Sequence, residues 1–169
     1  MRAHEVPVVA STMRTHTLQL ADACATEAAG SRLALQLANG MIVTLSGELG
    51  AGKTTFARGV LRSLGWKGRV KSPTYTLVEH YPLSNLYLYH LDFYRFDDPS
   101  EWETSGLADC FRDDAACLVE WPERVGRLLP TPDLELRFEH DANPQTRTLR
   151  LRANTDAGER CLIAVASAA

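Results

Sequence analysis

The order of apolar and polar positions divides the chain into a helix-and-strand first half and a strand-rich second half. His16-Thr17-Leu18-Gln19-Leu20 alternates and reads as a short edge strand. Asp22 to Thr26 offers helix-capping oxygens, Leu33, Ala34, Leu37 and Ala38 recur at helical spacing, and Asn39-Gly40 is a fitting stop. Met41-Ile42-Val43-Thr44-Leu45 is a short β-rich run suited to a buried strand, followed by a glycine-rich turn over residues 47–52. Lys53 to Leu64 carries Phe56, Val60, Leu61 and Leu64 along one side of a helix, which Gly65 ends.

Residues 76–81 and 86–91 read as paired strands across a turn from Pro82 to Asn85. A helix is expected near Pro99-Ser100-Glu101, with Ser100 as cap and Glu103 reaching back. Ala115 to Val119 is another apolar run of buried-strand length. Beyond Pro130 the period becomes two: Leu134, Leu136 and Phe138 face one way, Glu135, Arg137 and Glu139 the other. Two further strands, over 148–153 and 160–165, would complete an antiparallel meander. This order predicts an α/β fold with a mixed, mostly parallel central sheet, helices on its faces and a C-terminal antiparallel β meander. Residues 1–12 read as a loose extension, 13–169 as one domain, and Met13 is a plausible alternative start.

Composition narrows the class. The 169 residues suffice for one ordinary domain. With 18 Lys+Arg and 21 Asp+Glu the net charge is -3, which argues against a surface built wholly to clamp nucleic acid. A hydrophobic fraction of 45% and a charged fraction of 23% argue against disorder. No run approaches the roughly 18 apolar residues of a membrane helix, and the start lacks the apolar core of a secretory signal. Four scattered cysteines, without a CxxC pair, point to reduced thiols in a cytoplasmic protein.

The sharpest chemistry lies between the second predicted strand and the following helix. Gly47-Glu48-Leu49-Gly50-Ala51-Gly52-Lys53-Thr54 matches GxxxxGK[ST] throughout. With average residue usage, a chance match in such a chain arises on the order of one time in 200. This is the pattern of a P-loop NTPase. Gly50, Ala51 and Gly52 let backbone N–H groups turn towards phosphate oxygens, and the helix N-terminus adds partial positive charge. Lys53 would reach the β- and γ-phosphates, the Thr54 hydroxyl would ligate Mg²⁺, and Thr55 would meet the α-phosphate. No NKxD-type guanine-reading motif is present, so ATP/ADP is preferred. Ala23 to Thr26 could line a base pocket or simply cap the first helix.

Such a site needs an acid at a neighbouring strand end and a group to orient the attacking water. Asp92 ends the Leu88 to Leu91 strand and Glu120 ends the Ala116 to Val119 strand. Glu120 follows the more uniformly apolar run and is preferred beside Mg²⁺. Asp92 would then face the phosphates as a water-orienting or supporting group. His90-x-Asp92 offers two metal-type ligands, too few for a transition-metal site. Lys71 to Leu77 is a hydroxyl-rich loop with a proline, placed like a GTPase switch; Thr74 could sense the γ-phosphate, or the loop could merely lead into a strand. Arg58, Arg62, Lys67, Arg69 and Lys71 form a basic stretch that reads as a solvated face or a partner contact.

Four segments occur in order: the P-loop with Thr55, Ser72-Pro73-Thr74-Tyr75-Thr76-Leu77, His90-Leu91-Asp92-Phe93-Tyr94-Arg95, and Leu118-Val119-Glu120-Trp121-Pro122-Glu123. Together they resemble the bacterial TsaE (YjeE) family, the ATPase of tRNA threonylcarbamoyladenosine synthesis, over roughly Met13 to the C-terminus. The resemblance implies nucleotide and Mg²⁺ binding by Lys53 and Thr54, magnesium ligation by Glu120, a requirement for Asp92 in ATP hydrolysis and a switch role for the loop bearing Thr74. It also suggests a base-side contact near Ala23 to Thr26. Glu48 stands where the family more often has Asp, at a position not expected to carry chemistry. The implied partners are TsaD and TsaB, with tRNA reached indirectly through their complex. A small-molecule kinase, the runner-up, would carry an arginine-rich lid before its last helix, where strands are expected here. A nucleotide-gated binding module with negligible hydrolysis is a further alternative.

Overall fold

The computed structural model describes residues 14–167; the expected extension at 1–12 and the start at Met13 lie outside them. In chain order the elements are β1 (Arg14–Leu20), α1 (Ala23–Ala34), β2 (Ile42–Gly47), α2 (Lys53–Ser63), β3 (Val78–Pro82), β4 (Tyr87–Asp92), α3 (Glu101–Ser105), β5 (Ala116–Glu120), β6 (Leu134–His140), β7 (Arg147–Ala153) and α4 (Asp156–Ala166). All seven strands join one sheet in the order β1-β7-β6-β2-β5-β4-β3. The centre is parallel: β6 and β5 flank β2, and β4 lies beyond β5. The outer pairs β3–β4, β6–β7 and β1–β7 are antiparallel.

The periods read from the sequence account for the two layers. Val43, Leu45, Leu118, Leu134, Leu136 and Phe138 share one face of the sheet, all buried, in one core with Leu33, Phe56, Val60 and Leu61 of α1 and α2. Removing each such side chain from water stabilises the fold by about 1.5–3 kcal/mol before ordering entropy is counted. The opposite face is apolar around β4 and β5, where Leu91, Cys117 and Val119 meet Phe93, Phe96 and Trp102, with Ile42 of β2 and Val78 of β3 packed at its margin. Across β1, β7 and β6 that second face is polar, carrying Thr17, Arg150 and Arg137 in register. The alternation of β6 thus marks a strand whose second face is polar, and the continuous apolar run of β5 marks a strand covered on both sides.

The first two helices meet backbone to backbone. A Cβ on Gly59 would lie 2.1 Å from the Glu27 carbonyl oxygen, and one on Gly30 would lie 2.2 Å from that of Phe56. Ser31 secures the crossing by donating its hydroxyl to the Gly59 carbonyl at 3.2 Å. α1 starts where its cap predicts, with Asp22 accepting the Ala25 N–H at 2.8 Å. It ends at Ala34, before Leu37 and Ala38, because Leu35 and Gln36 leave it through a tight turn. At α3, Ser100 makes no side-chain cap; the Glu101 carboxylate instead accepts the N–H groups of Asp97 and Asp98.

Residues 160–165 are helical rather than a third meander strand. Thr155 caps α4 by accepting the Gly158 N–H at 3.0 Å, and buried Gly158, Cys161, Leu162 and Val165 follow helical spacing. Ile163 and Val165 suggested a strand, but the capping threonine and this spacing prevail over β-branched propensity. The third antiparallel strand is β1, on the far side of β7. The chain therefore has a last helix, and the segment before it is strand β7 instead of an arginine-rich lid.

All four cysteines are free. Cys24 is exposed, whereas burial pushes the thiols of Cys117 and Cys161 up to about 12 and about 11. Because the thiolate is the nucleophile, a disulfide reagent at neutral pH is expected to modify Cys24 within minutes and to leave Cys117 and Cys161 intact. Peptide mapping after labelling checks this; early labelling of Cys161 would contradict the packing of α4.

Candidate functional site

The carboxyl ends of β2, β5 and β4 lie together, as register pairs Leu45 with Glu120 and Glu120 with Asp92. In parallel sheets this edge is where ligands bind. β2 leads into the glycine turn and α2 begins at Lys53. Gly52 caps the helix at φ 109°, a left-handed conformation that spares glycine the Cβ penalty. Gly47 is needed twice, for its φ of 138° and because a Cβ there would lie 2.4 Å from the Phe138 carbonyl.

Lys53 is 4% exposed and donates to the carbonyls of Gly47 at 2.6 Å and Glu48 at 2.8 Å. Its ammonium lies 4.2 Å from the Trp121 ring centroid, a cation–π contact. Burial pushes its pKa below the ordinary lysine value, partly opposed by the charges of Glu120, Glu123 and Asp92. Trp121 adopts φ 57°, ψ 47° straight after β5, and this turn lets its ring cover the lysine.

Both strand-end acids are 2% exposed. The Thr54 hydroxyl donates to Glu120 Oε1 at 3.0 Å, and His90 Nε2 lies 2.8 Å from the same oxygen. Asp92 accepts the Tyr94 N–H at 2.8 Å through Oδ1, while Oδ2 takes the hydroxyls of Ser72 and, at 3.3 Å, Thr74. These acids, Lys53, Thr54 and Thr74 line a cleft of about 220 Å³ that also includes Gly50 and Ala51. A second lobe of about 370 Å³ adjoins it through Gly50, Gly52 and Thr55, and is lined by Ala23 and Thr26. The structure thus places the candidate nucleotide, acid and loop residues read from the sequence around two hollows that share Gly50, Gly52 and Thr55, and leaves the basic stretch outside both.

The donor set suits a hard cation. Carboxylate and hydroxyl oxygens converge at the start of α2, and magnesium is typically held by one or two carboxylates together with phosphate oxygens and waters. Thr54 and Glu120 are the groups that could hold it. Among the described residues no cluster of three or more His, Cys, Asp or Glu forms a dedicated cage.

Three contributors escaped the sequence reading. Ser72 reaches Asp92 from the loop, a contact its hydroxyl alone did not announce. His90 engages Glu120 rather than pairing with Asp92 as a metal ligand. Arg147 donates to the Gly50 carbonyl at 3.2 Å and lines the second lobe with Pro144 and Gln145, a juxtaposition made only by the β6–β7 hairpin. Arg95 lies outside the cleft lining, its guanidinium 3.9 Å from the Tyr75 ring centroid. In the basic stretch Arg58 pairs with Glu27, and Arg62 donates to the carbonyls of Trp66 and Gly68.

A strand, glycine turn and helix with buried acids on the adjacent parallel strands define the class: a P-loop nucleotide-binding fold. Residues 20–149 match the family model described as threonylcarbamoyl adenosine biosynthesis protein TsaE. The tRNA threonylcarbamoyladenosine biosynthesis protein TsaE of Haemophilus influenzae is 42% identical over 132 residues, covering 78% of this chain and 82% of that one. Its Bacillus subtilis namesake is 43% identical over 97 residues, covering 57% of this chain and 60% of that one. The crystal structure of YdiB from the same Bacillus superposes with a TM-score of 0.77 at 27% identity, over 92% of this chain and 97% of that one. The chain belongs to the TsaE family.

Proposed function

We propose that the chain is a Mg²⁺-dependent ATPase of the cytoplasmic machinery that makes tRNA N6-threonylcarbamoyladenosine. It acts with TsaD and TsaB, driving or resetting the transferase, and meets tRNA through that complex. The observation that carries the ATPase reading is the alignment of Asp92 and Glu120 on adjacent strands opposite Lys53 and Thr54. Membership of the TsaE family supports the pathway. No helix among the described residues is long and apolar enough to cross a membrane.

Hydrolysis here is in-line attack of water on the γ-phosphorus, which breaks its bond to the β,γ-bridging oxygen and leaves ADP and phosphate. The N–H groups of Gly50 to Thr55 receive the phosphates, with Thr55 nearest the α-phosphate. Lys53 exchanges its two loop carbonyls for phosphate oxygens and stabilises charge that builds up on the leaving side. Magnesium bound by Thr54 and Glu120 would neutralise charge on the β- and γ-phosphates. Asp92 orients the attacking water, its carboxylate fixed by the Tyr94 N–H and the Ser72 hydroxyl. Thr74 can leave Asp92 for the γ-phosphate, which gives its loop the character of a switch. The adenine base occupies the second lobe, between Ala23, Thr26 and Arg147.

ATP turnover of the chain alone and with TsaD, TsaB and tRNA tests the proposal. Slow turnover alone, a clear rise with the partners, and a loss of about 100-fold or more in Asp92→Ala are expected, since positioning of the water is a major part of such catalysis. Equal turnover with and without the partners would remove the coupling; undiminished turnover in Asp92→Ala would remove the assignment of Asp92.

A further inference from the structure

We infer that His90 is a positioning residue: by donating from Nε2 it fixes the Glu120 carboxylate in the orientation that Mg²⁺ binding uses. The inference rests on the reading of Glu120 as a magnesium ligand and adds to it a group outside the cleft lining. His90 lies in the middle of β4, 0% exposed, between buried Leu88 and Asp92 on the same strand face and beside Leu118 of β5. A leucine or phenylalanine would fill such a position without polar cost. The imidazole instead leaves Nδ1 buried with no hydrogen-bond partner. Leaving a buried polar atom unpaired is unfavourable, so a histidine here has to be explained by its other nitrogen.

That nitrogen is 2.8 Å from Glu120 Oε1. Against an ionised carboxylate, which can only accept, Nε2 carries the proton. The Glu120 carboxylate needs such a donor because the terminal torsion of glutamate is broad and holds no sharp minimum of its own. Thr54, its other side-chain donor, has a hydroxyl that would turn to the metal. His90 then remains as the buried donor that keeps the Glu120 oxygens aimed past Thr54. Supporting hydrogen bonds of this kind orient metal ligands, and losing one costs about 10–100-fold in metal affinity.

Two variants of the full-length chain test this: His90→Gln, whose amide nitrogen can take the place of Nε2, and His90→Asn, whose shorter side chain cannot reach Glu120. Fluorescent ADP is titrated with and without Mg²⁺, giving the nucleotide Kd and the Mg²⁺ concentration for half-maximal tightening. Circular dichroism verifies folding. His90→Asn is expected to need about tenfold more Mg²⁺, with its Mg²⁺-free Kd unchanged, whereas His90→Gln stays within about threefold of the native chain. The inference is overturned if His90→Asn shows native Mg²⁺ dependence, if His90→Gln is as impaired as His90→Asn, or if a folded variant loses nucleotide equally with and without Mg²⁺. A native chain whose ADP affinity ignores Mg²⁺ would overturn the magnesium reading itself, which separates the two failures.

Discussion

ATP turnover by Lys53→Met is expected to fall about a thousandfold while the chain stays folded. In the proposed reaction the ammonium is the cation facing the charge that develops on the phosphates, and losing one preorganised stabiliser of this kind typically costs about 10²–10³ in rate. Stability responds differently because the charge is taken out of water. Burial depresses the Lys53 pKa, so the folded state binds this proton less tightly than the unfolded chain does. In the window between the depressed value and the ordinary lysine value the unfolded state holds more protons, and native stability rises with pH. Methionine removes both the charge and this dependence. Any thermal advantage of Lys53→Met over the native chain should therefore be largest below the depressed value and shrink as pH rises through the window. Steady-state turnover and thermal melts across alkaline pH measure both effects. Turnover within tenfold of native would show that Lys53 does not face the reacting phosphate.

Gly59→Ala is expected to destabilise the chain by about 3 kcal/mol, since overpacking usually costs 1–3 kcal/mol and the obstacle here is backbone. The added methyl would sit 2.1 Å from the Glu27 carbonyl oxygen, which belongs to α1 and has no rotamer to change. The helices can only separate, opening the core between Leu33, Phe56 and Val60. For a chain of this size the loss corresponds to a fall of roughly 6–12 °C in Tm. Urea unfolding followed by circular dichroism measures it. A loss under about 1 kcal/mol would mean that α1 and α2 do not cross at this glycine. Because α2 carries Lys53 and Thr54 on its first turn, nucleotide affinity should weaken as well.

The parts legible in the sequence were those whose cause is local. The P-loop is written as consecutive residues because its glycines, lysine and threonine act within one turn. Asp92 and Glu120 could be found because a buried parallel strand ending in an acid is a short pattern. What stayed hidden depends on distant chain. Arg147 reaches the P-loop through a hairpin formed about a hundred residues away, and no spacing rule links it to Gly50. Alternation puts His90 on the same face as Asp92, and only the register of β4 with β5, which pairs Asp92 with Glu120, brings the Glu120 carboxylate within its reach. Residues 160–165 have the composition of a strand, but their buried positions follow helical spacing, and the start signal that decides for a helix, Thr155, lies five residues upstream of Arg160.

The close crossing of α1 and α2 has a mechanical consequence. One helix presents the phosphate cradle at its start, and the other begins at Ala23 and Thr26 beside the second lobe. Locked through Gly30 and Gly59, they form a single strut, and neither mouth of the nucleotide cavity can widen by sliding one helix along the other. Compliance is left to the segments at 65–77 and 141–146, which carry Thr74 on one side and Pro144 and Gln145 on the other. Opening the cavity to admit or release a nucleotide therefore loads two loops rather than a hinge between helices. Amide exchange should register nucleotide release there, while the α1–α2 strut stays silent.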